Sequence, residues 1–189
     1  MRKRKKSRLH EIWRQLRKNK FAVVALVIIV LLFLVAAFAA LIAPYSYEAQ
    51  NAKLSYAGSS AEHLLGTDKL GRDILSRLIY GAQQSLQIGL IAVAIAAVIG
   101  IAVGAVAGFY GGWRDNLLMR FLDIYQAMPM LLMCITLAAV LGPSLQNAIL
   151  ALGISSVPGY ARLMRASILT VREKEYVEAA RAIGARDAR

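Results

Sequence analysis

The sequence predicts an all-α, polytopic membrane protein, and three observations indicate that fold class. First, 58% of the 189 residues are hydrophobic and the mean hydropathy is +0.53, values typical of membrane proteins. Second, apolar runs of membrane-spanning length recur along the chain. Third, the net charge of +12 is concentrated towards both ends, whereas residues 44–85 carry four basic and four acidic side chains. This positive-inside pattern predicts that both ends face the cytoplasm.

Residues 1–20 form a basic cytoplasmic tail with ten Lys or Arg residues and one acid. From Ser7 to Lys20, apolar side chains that include Trp13 recur at helical spacing, so we expect an amphipathic helix in the lipid headgroup region. A basic tail also suits nucleic acid, but these bases adjoin a 23-residue apolar run. We therefore expect membrane lipid as a partner and no nucleic acid.

Residues 21–43 form the first predicted transmembrane helix. The run carries no charge, and about 20 residues suffice to cross the hydrocarbon core. A cleaved signal peptide is the alternative, with Ala37-Phe38-Ala39 as the processing site, but a signal core spans only about 7–15 residues. The length favours a retained span with a cytoplasmic N-terminus.

Residues 44–85 form a polar, electrically neutral loop that we expect on the extracytoplasmic side. Gly66 and Gly71 predict a turn, because glycine adopts turn conformations that other residues disfavour. Within that turn, Thr67 or Asp68 would cap the start of a helix.

The charged groups of this loop could suggest a metal or catalytic site. One histidine, His63, and two acids at this spacing match no metal-site pattern, so we expect Asp68 or Asp73 to pair locally with Arg72. The single cysteine, Cys134, lies in an apolar segment and offers neither a disulfide nor a metal cluster. We expect no metal and no cofactor.

Residues 86–110 form the second predicted span, along which small residues recur at every fourth position. Gly100, Gly104 and Gly108 lie in this series and share one side of the helix. Small residues at this interval let two helix backbones approach closely. They predict a tightly packed partner, either elsewhere in this chain or on a second subunit.

Residues 117–141 form the third predicted span, in which Pro129 should kink the helix near mid-membrane. Charges inside a span cost about 2.5–3.5 kcal/mol each on insertion scales. We therefore expect Arg120 and Asp123 to pair near the cytoplasmic end. A place for Asp123 on a translocation pathway is the alternative.

Residues 145–164 form the fourth predicted span, and its helix is expected to be broken by Gly153, Ser155, Ser156, Pro158 and Gly159. Irregular backbone at membrane depth is tolerated where it is buried in protein or lines a cavity. The last four of these residues are therefore candidates for the lining of a pore or for a hinge.

Residues 171–189 predict a short helix at the cytoplasmic surface. Tyr176, Ala179 and Ala180 share one of its faces, and Gly184 stands where the helix would end. Small alanines beside an aromatic ring let another surface come close, which predicts a docking face. An ordinary amphipathic surface helix is the alternative.

Two motifs resemble the inner-membrane permease subunits of ATP-binding-cassette importers, specifically the dipeptide, oligopeptide and nickel group. The first is His63-Leu-Leu-Gly-Thr-Asp-Lys-Leu-Gly-Arg-Asp73, continued by Ser76-Arg-Leu-Ile-Tyr-Gly81, similar to the segment that follows the first span in that group. The second is Tyr160-Ala-Arg-Leu-Met-Arg165 with Glu178-Ala-Ala180 and Gly184 behind it, which resembles the EAA motif of importer permeases. The resemblance covers nearly the whole chain.

The resemblance implies a subunit of an ATP-driven importer that passes di- or oligopeptides, or related solutes such as nickel complexes, across a bacterial inner membrane. It implies a six-helix permease fold of which this chain holds four spans, so that the chain is expected to be truncated at its C-terminus. The implied partners are a second homologous permease subunit, two cytoplasmic ATPase subunits and an extracytoplasmic substrate-binding protein. The implied contacts to the ATPase are those of the coupling helix: Tyr176, Glu178, Ala179, Ala180 and Gly184.

We expect no enzymatic activity of this chain itself. It has no Gly-x-x-x-x-Gly-Lys-Ser/Thr phosphate loop, so partner subunits would hydrolyse the ATP. An intramembrane enzyme would need a base at membrane depth, and the predicted spans contain no histidine. The remaining alternatives are a non-catalytic membrane scaffold that oligomerises through the glycine series, and a non-functional fragment of such a permease.

Overall fold

The computed structural model describes residues 8–184, and these residues form helices and loops without a β-strand. The helices are α1 (Arg8–Lys18), α2 (Lys20–Ala37), α3 (Ala39–Ile42), α4 (Ile74–Tyr110), α5 (Gly112–Gln126), α6 (Met130–Leu141), α7 (Leu145–Arg172) and α8 (Glu175–Ala182), with a 3-10 turn at Ala52–Leu54. The predicted all-α fold class is confirmed. The chain divides into two compact units, residues 1–87 and residues 88–189. Residues 1–7 of the predicted tail and 185–189 of the predicted coupling segment lie outside the described residues.

In the first unit, α2 is an uncharged apolar helix that begins at a polar cap. The Asn19 side chain accepts hydrogen bonds from the backbone N–H groups of Phe21, at 3.1 Å, and Ala22, at 3.3 Å. These bonds satisfy two of the N–H groups that every helix start leaves without a partner. Of the α2 residues only Ala36 is buried, so nearly the whole surface of this helix is available to lipid.

The loop between α3 and α4 is folded, and Asp73 rather than Thr67 or Asp68 caps the helix that follows. The Ser76 backbone N–H donates to Asp73 Oδ2 at 2.7 Å. The predicted cap is wrong because both candidates serve the turn before it. Thr67 accepts from the backbone of Ala57 at 2.9 Å, and Asp68 accepts from backbone groups within the turn.

In the second unit, glycines set the boundary between α4 and α5. Gly111 and Gly112 have φ angles of +64° and +59°, which side chains with a β-carbon rarely adopt. The chain can therefore reverse direction within one or two residues. As a result, α5 begins at Gly112, whereas the predicted third span began at residue 117.

The α5–α6 pair is broken more sharply than the predicted kink, with an angle of 83° between the two helices. Pro129 lacks the N–H that a continuous helix would use, and it disfavours helical backbone at the residue before it. The chain accordingly leaves α5 at Gln126 and starts α6 at Met130.

Helix α7 is continuous from Leu145 to Arg172, so the predicted interruption around residues 153–159 is wrong. Pro158 is fully buried, and Val157 and Ala161 near it are also buried. Close packing of this stretch outweighs the poor helix propensity of proline and glycine.

By length and composition, α2 and α4 could each cross a membrane, and α5 with α6 could form a third, bent span. α7 is long enough but less apolar, so its crossing, and with it the total of four spans, stays a prediction.

Candidate functional site

Helices α4 and α7 lie close together because glycines of α4 face the backbone of α7. A β-carbon at Gly104 would overlap the carbonyl oxygen of Ala161, and one at Gly100 would lie 2.6 Å from the Cβ of Tyr160. Gly108 faces the same helix two turns further along α4 than Gly100. The glycine series therefore has a packing partner within this chain.

An ion pair with a buried carboxylate and a partly exposed arginine holds α5 against α7. Arg165 donates from Nε and Nη2 to the two carboxylate oxygens of Asp115, each at 2.6 Å. Asp115 is only 9% exposed. Two parallel bonds of this kind give arginine–carboxylate pairs both strength and a defined geometry. Further along α7, Arg172 donates to the carbonyl oxygen of Gly108 at 3.0 Å, which ties the same helix to α4.

Asp123 pairs with Arg162 of α7 at 2.7 Å, so the predicted Arg120–Asp123 pair is wrong. Arg162 approaches from a neighbouring helix, and sequence spacing within one helix cannot reveal such a partner. Both side chains of the pair are about half exposed, and exposed ion pairs contribute little stability.

A cavity of about 300 Å³ lies at the break between α5 and α6. Helix α7 contributes Ser155, Ser156 and Gly159 to its wall. The break contributes two polar residues, three methionines and a proline: Tyr125, Gln126, Met128, Met130, Met133 and Pro129.

The structure brings three of the predicted pore or hinge residues, Ser155, Ser156 and Gly159, to this cavity. Pro158 is instead packed in the protein interior, and Asp123 is not part of the cavity wall. None of the side chains that line the cavity is charged.

Two of the residues that line the cavity carry a hydroxyl group that is buried without a hydrogen-bond partner in the described part of the chain: Ser155 Oγ and Tyr125 Oη. Ser155 differs in this from the serine beside it. Ser156 donates to the Leu152 carbonyl oxygen at 2.8 Å, one helical turn back, as Ser167 does to that of Leu163 at 2.9 Å. A buried polar group without a partner costs about 1–3 kcal/mol, so these two oxygens are the unusual feature of the cavity.

Helix α8 follows α7 after a single turn and is largely exposed. The Val177 backbone N–H donates to the Lys174 carbonyl oxygen at 2.9 Å, which closes the turn. Tyr176 is 65% exposed and Glu178 and Ala179 are exposed, whereas Ala180 is partly covered. Gly184 has a φ of +80°, as expected for the glycine that ends a helix.

In the first unit, the loop before α4 is organised around two aspartates, of which Asp68 is one. Its carboxylate accepts from Arg72 Nε and from the Leu70 backbone N–H, each at 2.8 Å, so the predicted Asp68–Arg72 pair is present. Partial burial raises the pKa of Asp68, but the hydrogen bonds from the side chain and backbone of Arg72 and from Leu70 outweigh it. They hold this pKa well below its ordinary value.

The second aspartate, Asp73, joins the loop to the start of α4. It lies 3.0 Å from His63 Nδ1 and accepts from the Ser76 backbone. Burial raises the pKa of Asp73, but the bond from the Ser76 backbone and that from His63 keep the pKa below its ordinary value. Between residues 8 and 184, no group of three or more His, Cys, Asp or Glu side chains is placed to hold a metal ion.

Sequence reasoning missed Asp115 and Tyr125. Asp115 lies three residues after Gly112, the second glycine of the turn. Because α7 carries arginines that an acidic side chain would neutralise, the balance of charge within the second unit could have indicated Asp115. Tyr125 and Gln126 are polar residues beside the break in an apolar segment, which could have marked a cavity.

Two family models match the chain. The model described as binding-protein-dependent transport system inner membrane component matches residues 100–189. The model for the N-terminal TM domain of oligopeptide transport permease C matches residues 7–58.

Individual relatives are similar over almost the whole chain. The dipeptide transport system permease protein of Alkalihalophilus pseudofirmus is 46% identical over 179 residues, which cover 95% of this chain and 59% of the relative. The glutathione transport system permease proteins of Escherichia coli and Shigella boydii are 44% identical over 182 residues, which cover 94% of this chain and 59% of each relative. The chain thus spans about three fifths of the length of these relatives.

Proposed function

The chain belongs to the family of binding-protein-dependent transport system inner membrane components, and we propose that it is a transmembrane permease subunit of an ATP-driven importer. Its substrates are di- or oligopeptides or related small solutes. The relatives that it resembles, a dipeptide permease and a glutathione permease, support this substrate class. The chain itself catalyses no reaction, and partner subunits hydrolyse the ATP.

The observation that carries this proposal is the continuity of α7. One unbroken helix joins the cavity wall at Ser155 to the turn after Arg172, from which α8 begins. At 1.5 Å per residue this stretch is about 25 Å long. A continuous helix pinned to α4 and α5 by arginines transmits a displacement of α8 to the cavity as a rigid body.

In this mechanism α8 is the part that a cytoplasmic ATPase subunit moves. Its exposed Tyr176, Glu178 and Ala179, with Ala180 beside them and Gly184 at its end, form a small face suited to a groove of a partner. Closure of two ATPase subunits on ATP would displace α8 and thereby change access to the cavity. A second homologous permease subunit completes the pathway, and an extracytoplasmic binding protein delivers the solute. The basic tail and α8 then lie on the cytoplasmic side.

A scaffold that oligomerises through the glycine series is disfavoured by a specific observation. Gly100, Gly104 and Gly108 already lie against α7 of the same chain. A second copy could reach these glycines only by displacing that helix.

The test is substitution on the α8 face in the assembled importer. We expect E178K and G184D to abolish ATP-driven dipeptide uptake into proteoliposomes while the protein stays in the membrane at normal abundance. E173K is the matched control, because it makes the same charge change in the turn before α8. Normal uptake by E178K and G184D would overturn the proposed coupling role.

A further inference from the structure

We propose that the cavity at the α5–α6 break binds the peptide bond of the transported solute, and that the hydroxyl groups of Ser155 and Tyr125 are its hydrogen-bond partners. This inference rests on the proposed function and assigns a chemical class of ligand to these two side chains.

The first argument comes from the two hydroxyl groups themselves. Ser155 Oγ and Tyr125 Oη are buried without a partner in the described residues. A serine in a helix can satisfy its hydroxyl by donating to the carbonyl one turn back, as Ser156 does. Ser155 does not, although it adjoins Ser156 in the same helix. Two such groups in one cavity wall indicate that the partner comes from outside the chain.

The second argument comes from the neutrality of the wall. No residue that lines the cavity carries a charge, so the site offers nothing to the charged termini of a peptide. A hydroxyl group both donates and accepts a hydrogen bond, and a peptide bond offers one donor and one acceptor in every peptide whatever its sequence. Weak, uncharged binding also suits a pathway, because a solute that enters must be able to leave.

The third argument comes from the methionines. Met128, Met130 and Met133 line the same cavity, and methionine side chains are flexible enough to pack against differently shaped groups. The cavity can therefore accept varied peptide side chains while the hydroxyl groups bind what all peptides share. A volume of about 300 Å³ is at the lower end for ligand sites and suits a dipeptide.

The experiment compares a dipeptide with its ester analogue in the reconstituted importer. Alanyl-alanine and alanyl-lactate differ in that an ester oxygen replaces the amide N–H. The preference for the amide, measured as the ratio of uptake rates at low solute concentration, includes a contribution from the binding protein. That contribution is the same for every permease variant, so it cancels when the variants are compared.

Alanyl-lactate lacks only the peptide N–H, so the comparison reports on the hydroxyl group that accepts from it. We expect the variant that removes this acceptor, S155A or Y125F, to reduce the preference for the amide roughly fivefold, the effect of one hydrogen bond of ordinary strength. S167A is the matched control on the same helix and should keep the wild-type preference, since the Ser167 hydroxyl is satisfied within the helix and does not line the cavity. The midpoint of thermal unfolding of S155A should be unchanged or higher, because the substitution removes a buried group without a partner. If the Ser155 hydroxyl only stabilised the fold, S155A would instead lower the midpoint of thermal unfolding and leave the preference for the amide unchanged.

An unchanged preference in both S155A and Y125F would overturn this inference. Failure of the proposed function is a different result, namely the absence of ATP-driven uptake of either solute by the wild-type importer. The two failures are therefore distinguishable in one set of measurements.

Discussion

At the scale of single residues, the two ion pairs that join α5 to α7 differ in how far their side chains are buried. Asp115 is buried and accepts two bonds from Arg165, whereas Asp123 and Arg162 are about half exposed. Removal of one partner from a buried charged pair leaves the other charge poorly satisfied, and an exposed pair is replaced by water at little cost.

We therefore expect D115N to lower the free energy of unfolding by about 2 kcal/mol, and D123N to change it by less than about 1 kcal/mol. Thermal unfolding of the detergent-solubilised protein measures both changes. Equal midpoints for the two variants would contradict the structural role given to the Asp115–Arg165 pair.

The loop before α4 should respond to acid through Asp68 and Asp73. The pKa of each carboxyl is lower in the folded loop than in the unfolded chain. Such a group stabilises the fold above its unfolded pKa of about 3.9, and this stability is lost as the pH falls through the lower folded value. The loop should accordingly loosen as the pH falls below about 4.

The rate of pepsin cleavage within residues 44–73, measured from pH 5 to pH 2, tests this prediction. E62Q is the control, since Glu62 is an exposed acid of the same loop, and it corrects for the pH dependence of pepsin itself. The D68N/D73N double variant should already be cleaved faster than E62Q at pH 5. If its rate relative to E62Q equals that of the wild type at every pH, the two aspartates do not hold the loop.

Residue-scale pairing was only partly predictable. The Asp68–Arg72 pair lies four residues apart within one turn, and local spacing revealed it. Asp115 and Arg165 lie fifty residues apart, and their pairing depends on which helices face each other. No periodicity within a single helix contains that information.

At the scale of elements, the contact between α4 and α7 depends on the absence of side chains at glycine. We expect G104A to lower the free energy of unfolding by about 1–3 kcal/mol, because the added methyl group would overlap the Ala161 carbonyl and push the helices apart. G89A is the matched control on the same helix, since nothing lies within 4 Å of a β-carbon there. Thermal unfolding measures both variants, and equal destabilisation by the two would contradict close packing at Gly104.

Two of the three prolines of the second unit, Pro129 and Pro158, show where prediction of elements fails. Pro129 was expected to kink a helix and instead lies in a break between two helices, directly before α6. The stretch around Pro158 was expected to break a helix and instead lies within one. Pro129 is exposed at the break, while Pro158 is fully buried. The intrinsic cost of proline in a helix is about 3 kcal/mol, and close packing around Pro158 can offset a cost of that size.

At the scale of the whole chain, composition and charge distribution sufficed for the all-α membrane class. The same reasoning selected Ser155, Ser156 and Gly159, which do lie on one cavity. The sequence pattern predicted that these residues break the helix, whereas they lie within the continuous helix α7. That continuity matters for the proposed mechanism, in which α7 connects the cavity wall to α8.

Neither arm of the bent α5–α6 pair can cross a bilayer alone. α5 has 15 residues and α6 has 12, or about 22 Å and 18 Å at 1.5 Å per residue, against a hydrocarbon core of about 30 Å. Where the arms meet, backbone groups at two helix ends lack partners in the helices, and lipid tails offer them none. During biosynthesis, this corner must be sheltered by water or by a companion protein before lipid surrounds it. We therefore expect the newly made chain to be degraded faster without such a companion than with one, which a pulse-chase measurement of its half-life would check.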